Sequence, residues 1–260
     1  MKKKHLFFAA VLCVALAFGF SACENPNEDE LLNRIEKLEN QLKDQQSGKD
    51  KNDNSSSNEQ NSGNSEGGSG DEGSFSTSVS GTENGYDYVD LGLPSGLKWA
   101  TCNVGAPTPE GYGNYYAWGE TTTKSTYYSS TYTYSSNPTT LPLNKDAAAV
   151  NMGGSWRMPT KEEWGELMDE CSWFWKYGYN GKVSGYLVKS KHNGNSIFLP
   201  AAGYRGSSDL DNAGSYGYYW SSSLHSGHSG SAYNLNFDSG DVSWSGYGRY
   251  CGQSVRGVCP

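Results

Sequence analysis

Residues 153–175 read GGSWRMPTKEEWGELMDECSWFW, a run that changes character at Pro159. A proline pushes the residue before it toward extended backbone, so Met158 lies outside any helix that follows. Thr160 then stands as an N-cap, with Glu163 three residues on to complete a capping box. Trp164, Leu167, Met168 and Cys171 fall at i, i+3, i+4 and i+7, an apolar stripe that needs a core to face. The run therefore predicts an amphipathic helix in which Trp164, and Trp173 and Trp175 beyond it, pack as framework and do not form a ligand platform. Glu162 and Glu163 point to different helix faces and suit the positive end of the helix dipole, so they do not make an acid/base pair. A second, weaker helix is expected over Asp146 to Asn151.

Around this run, all 8 tryptophans and all 19 tyrosines lie after Gly85, which gathers the aromatic content into one unit large enough for a real core. Short strand-like runs recur at 86–91, 97–103, 115–118, 185–189, 196–199, 218–221, 233–237 and 254–258, separated by Gly, Pro and Asn. With few helices and many short strands, residues 81–260 read as one α+β domain. No internal repeat of fixed period is present.

Upstream the chain changes kind. Met1-Lys2-Lys3-Lys4 and the apolar run from Leu6 to Phe20 form a signal peptide too short to span a bilayer with ordinary flanks. Phe20-Ser21-Ala22-Cys23 is similar to the lipobox of bacterial lipoproteins, although Phe20 stands where leucine is commoner. The likeness implies removal of residues 1–22 and a lipid on Cys23, where several acyl chains hold far more firmly than one. Glu28-Asp29-Glu30 resembles the export signals of surface lipoproteins of Bacteroides-type bacteria, which implies an outer-membrane anchor and a domain facing outward. Leu31, Ile35, Leu38 and Leu42 make an a/d seam of under two heptads, and residues 30–44 fit both a homo-oligomeric coiled-coil stalk and a solitary amphipathic helix. Residues 47–80 are almost entirely Ser, Asn, Gly, Asp, Glu, Gln and Lys, a composition that cannot offset ordering entropy and reads as a flexible linker.

Charge sorts the same way. Residues 24–80 hold 13 acidic against 5 basic side chains, whereas residues 81–260 hold 15 against 12. The globular part is nearly neutral and has no basic stripe, which excludes nucleic acid as an expected partner.

Six stretches carry a resemblance: YVDLGLPSGLKWATCNVGA (88–106), YYAWGET (115–121), WRMPTKEEWGEL (156–167), NGNSIFLPAAGYR (193–205), GSYGYYWSSS (214–223) and SVRGV (254–258). In this order they are similar to the Fibrobacter succinogenes major paralogous domain of secreted Bacteroidetes lipoproteins. The resemblance implies a C-type-lectin-like fold with one main helix, short antiparallel strands and long loops. It also favours a Cys102–Cys171 disulfide, while Cys251, in a loop of odd composition, is expected as a free thiol; the residues alone leave three pairings open among Cys102, Cys171, Cys251 and Cys259.

Catalytic signatures are absent: no G-x-S-x-G elbow, H-E-x-x-H, P-loop or EF-hand ligand set appears. WRMPTKEEW is also similar to the helix start of formylglycine-generating enzymes, but Cys251 and Cys259, with seven residues between them, do not match a cysteine pair of that chemistry. His225 and His228 stand at i, i+3 in a Ser/Gly loop without a third ligand nearby and read as solvated loop residues. Asp209-Leu210-Asp211-Asn212-Ala213-Gly214 lacks a distal bidentate Glu and reads as a turn. Neither a metal nor another cofactor is expected.

Two stretches have the composition of a paratope, with Tyr for rigid contact area and Ser and Gly for adaptable hydrogen bonding. They are residues 123–136, TKSTYYSSTYTYSS, and residues 222–252 near the C-terminus. In the second, Tyr233, Asn234, Asn236, Ser243, Trp244, Tyr247, Arg249 and Tyr250 are expected to face outward and bind ligand. The residue types there are those produced when retroelements randomise adenines in Asn codons, so the stretch also fits a diversified loop. The expectation is a non-catalytic surface lipoprotein that binds an extracellular glycan or protein. The alternatives are a structural, adhesin-like surface subunit and, behind it, a relative of the formylglycine-generating oxidases.

Overall fold

The computed structural model describes residues 79–260. The expected signal peptide, the lipid anchor at Cys23, the helix of residues 30–44 and the linker up to residue 78 lie outside the described residues. Among the described residues two α-helices, α1 (Ala147–Met152) and α2 (Lys161–Glu170), and two single-turn 3-10 helices accompany twelve strands. These are β1 (Gly81–Glu83), β2 (Tyr86–Asp90), β3 (Lys98–Asn103), β4 (Cys171–Tyr179), β5 (Val183–Ser190), β6 (Ser196–Pro200), β7 (Tyr204–Gly206), β8 (Asp209–Asp211), β9 (Gly217–Leu224), β10 (Ser231–Phe237), β11 (Val242–Gly248) and β12 (Arg256–Cys259).

The helix starts follow their local chemistry. Thr160 accepts from the Glu163 amide while the Glu163 carboxylate accepts from the Thr160 amide, so two otherwise orphaned donors are satisfied reciprocally. Glu163 also holds Arg157 through a two-pronged ion pair at 2.6 Å. Asp146 caps α1 by accepting from Ala149 at 2.9 Å, and its second oxygen accepts from Met158 at 2.8 Å. Burial pushes the Asp146 carboxyl upward, against the backbone donors that favour its charged form.

Antiparallel ladders join the strands into sheets of order β1-β2-β3-β12, β11-β10-β9, β4-β5-β6 and β7-β8. The fold is thus α+β and dominated by sheet. The three-stranded sheet of β9, β10 and β11 is its centre. On one face Leu235 lies between Trp244 and Tyr219, and Phe237 between Val242 and Gly217; this face joins a core that includes Trp99, Trp164 and Leu167. On the other face Ala232 pairs with Tyr247, and Asn234 lies between Trp220 and Ser245; this face joins a core that includes Trp118, Trp156 and Tyr204. Gly217 must lack a side chain, because the Phe237 ring occupies the position its Cβ would take.

Trp164 is fully buried, 4.8 Å from Trp99 and edge-on to Tyr219 at 5.9 Å. Its helix ends sooner than its stripe suggests: Cys171 has φ −121° and ψ 156° and begins β4. Trp173 and Trp175 are therefore strand residues, packed edge-on against Tyr186 and close to Phe237. Tyr115 to Trp118, expected as a strand, forms a single bridge, Tyr116 with Gln253, although all four residues are buried.

The expected Cys102–Cys171 disulfide does not form; both are free thiols. Cys102 shares its strand face with Ala100, which belongs to the first core, while Cys171 packs in the second. Cys251, expected as a free thiol, is buried and disulfide-bonded; the free thiols among the described residues are Cys102, Cys171 and Cys259.

Candidate binding surface

None of the eight residues expected to face outward is exposed. Asn234, Tyr247 and Arg249 are buried at 0%, 4% and 4% exposure, and Tyr233, Asn236, Ser243, Trp244 and Tyr250 are half-buried. The reason is the register. The stretch forms a hairpin of β10 and β11 inside a sheet packed on both faces, so side chains of both parities are at least partly covered. Trp244 and Tyr247 fall on opposite faces and pack into different cores. Asn234 donates to Gln253 at 3.0 Å in the interior. Outward presentation is thus corrected for Asn234, Tyr247 and Arg249, the other five are only partly exposed, and a diversified binding face on this hairpin is not proposed.

Arg249 shows what this stretch does instead. Its guanidinium donates to the Tyr132 hydroxyl, the Asn137 side chain, and the carbonyls of Ser229, Tyr134 and Ser136, all between 2.7 and 2.9 Å. The cation lies 4.8 Å from the centre of the Trp118 ring. All of these partners are neutral, so the charge is held by dipoles and an aromatic face alone. The consequence is mechanical: one buried residue at the end of β11 clamps the loop of residues 129–137 to the loop of residues 225–230.

The clamped loop belongs to the other paratope-like stretch. A cleft of about 290 Å³ opens there, lined by residues 119–122, Lys124, Thr131, Thr133, Tyr134 and Lys145. Glu120 pairs with Lys124 at 2.8 Å and accepts from both the amide and the hydroxyl of Thr133. Lys124 also donates to the Thr131 carbonyl at 3.1 Å. The Lys145 ammonium lies 5.7 Å from the centre of the buried Tyr134 ring. Gly119 sits at φ 79°, and a Cβ there would run into Tyr134, so the ring closes the floor against bare backbone. The cleft thus brings together carboxylate, ammonium and hydroxyl groups over an aromatic floor.

Part of this site was visible in the residue types of 123–136. Gly119, Glu120, Thr121, Thr122 and Lys145 were missed; the Glu-Thr-Thr-Thr-Lys run at 120–124 is a sequence signal that could have found the first four, while Lys145 arrives from the turn before α1 and carries no local mark. Asp209–Asp211 is strand β8, and Asn212 turns the chain at φ 59°. Among the described residues no group of three or more His, Cys, Asp or Glu side chains could hold a metal ion. No described helix is long and apolar enough to cross a membrane. Comparison of the chain with protein-family models, with curated proteins and with solved structures found no match.

Proposed function

We propose that residues 79–260 form a non-catalytic binding module for an extracellular glycan, with the cleft between Glu120 and Lys145 as its site. The observation that carries the reading is the lining of that cleft: Glu120, Lys124, Lys145 and the four threonines 121, 122, 131 and 133 lie around it together with Tyr134. Polyols are held by such alternating donors and acceptors, with an aromatic surface beneath the apolar face of the ring. The module is read as C-type-lectin-like, after the six stretches that resemble the Fibrobacter succinogenes major paralogous domain. It is carried on a surface lipoprotein anchored at Cys23. A panel of glycans tested against the full chain and against Lys124→Ala is the direct test. Saturable binding of a glycan by the parent and at least about tenfold weaker binding by the variant are expected, since one charge-assisted hydrogen bond is lost; unchanged binding by Lys124→Ala would remove the cleft from the account.

A second reading, a structural or adhesin-like subunit, is favoured by one observation. Strand β4 lies at the edge of its sheet, with Phe174 and Tyr177 at 47% and 81% exposure. An edge with exposed aromatic side chains can pair with a neighbouring copy. Loss of an oligomer on Phe174→Lys, read by sedimentation, separates the two readings.

A further inference from the structure

A second cluster lies on the face of β10 that meets the start of α2. Tyr233 is its centre. The His225 ring lies 4.6 Å from the Tyr233 ring at 33°. The Lys161 ammonium sits 4.1 Å from the centre of the same ring. Ser226 and Tyr233 share a hydrogen bond between their hydroxyls at 2.9 Å. The cross-strand partner of Tyr233 is Gly246, and a Cβ there would come within 2.6 Å of the imidazole, so His225 needs the bare backbone for its place.

The donors of this cluster outnumber its acceptors. His225 Nδ1 accepts from the Gly227 amide at 3.2 Å, which puts the imidazole proton on Nε2 and makes that nitrogen a donor. His228, two residues beyond Ser226, adds a third basic side chain in the exposed loop. The ion pairs among the described residues use Glu120, Glu163, Glu110 and Glu170, and none of them involves Lys161. The Tyr233 hydroxyl is made more acidic than an ordinary tyrosine, chiefly by the Ser226 hydrogen bond and further by Lys161. Burial, and then the nearness of His228 and Lys161, holds His225 below the usual imidazole range, so the ring is a neutral donor near pH 7. Lys161, half-buried over an aromatic ring, has no ion-pair partner among the described residues.

The geometry points to an oxyanion site in which Lys161, His225 Nε2 and the Ser226–Tyr233 hydroxyl pair receive a carboxylate or sulfate group carried on an acidic sugar. An oxyanion supplies what the cluster lacks: acceptors for an ammonium, an imidazole N–H and a hydroxyl at once, as well as the missing negative charge. The oxyanion part stands on this cluster alone. The sugar that carries it rests on the glycan reading proposed above, so the test keeps the two apart.

The test is titration of the full chain with inorganic sulfate, glucuronate and glucose, following the His225 imidazole resonances by NMR. Saturable shifts with sulfate and glucuronate, and none with glucose, are expected. Lys161→Gln should weaken binding by about tenfold, and Tyr233→Phe, which removes one oxygen and keeps the ring, by a smaller factor. Saturation with sulfate but not with glucuronate would keep the oxyanion site and overturn its sugar. Equal shifts with glucose, equal affinity in both variants, or no saturation with any of the three would overturn the site itself.

Discussion

Arg256 shows how a single residue holds this molecule together. Arg256 is fully buried and meets no acid. It donates to Asn103 through two nitrogens and to the carbonyls of Ala100, Thr101 and Phe198, all between 2.8 and 3.0 Å. Lysine cannot reproduce this fork. Arg256→Met should therefore cost about 3–5 kcal/mol, because several buried acceptors lose their donor at about 1–3 kcal/mol each; denaturant unfolding monitored by tryptophan fluorescence measures it. His225 makes a second prediction at this scale. Its folded form binds protons less readily than a free imidazole, so the unfolded chain takes up more of them as pH falls. Its contribution to stability is complete above about pH 6.5 and declines below it. The urea midpoint of the parent should fall more steeply between about pH 6.5 and 5 than that of His225→Gln.

At the scale of elements, what was legible in the sequence is what local chemistry decides. Thr160 and Glu163 announced the start of α2, and Thr160→Ala should lower stability by about 1 kcal/mol, measured by thermal unfolding, with Thr160→Ser close to the parent. The weaker helix expected over Asp146 to Asn151 is α1, with Asp146 standing outside it as the cap. The end of α2 was not legible: Cys171 continues the helical spacing, yet it begins β4, because Trp173 and Trp175 find Tyr186 and Phe237 only from an extended chain. That preference is tertiary and leaves no trace in periodicity. Strand β11 was missed for a related reason. Val242–Gly248 reads as a polar, glycine-rich loop, but Trp244, Tyr247 and the glycines between them fill two cores from one strand. The same composition that suggests a paratope also suits a strand buried on both faces, since Ser, Gly and Tyr can satisfy a crowded polar interior. Residue types alone do not separate the two uses; the pairing of β11 with β10 does.

For the whole molecule, the consequence is an exchange of roles between the two tyrosine-rich stretches. The later one is the central sheet and its clamp, Arg249; the earlier one forms the cleft that the clamp holds in place. Hydrogen–deuterium exchange on the full chain tests this most directly, because it reports how often each backbone amide opens to solvent. Amides of 217–224 and 231–248 should be among the slowest of the molecule, those of 120–136 should exchange fast, and Arg249→Ala should speed exchange in 129–137 while β9 stays slow. Exchange of 231–248 as rapid as that of the cleft loop would contradict the account, since the hairpin would then be surface and not core.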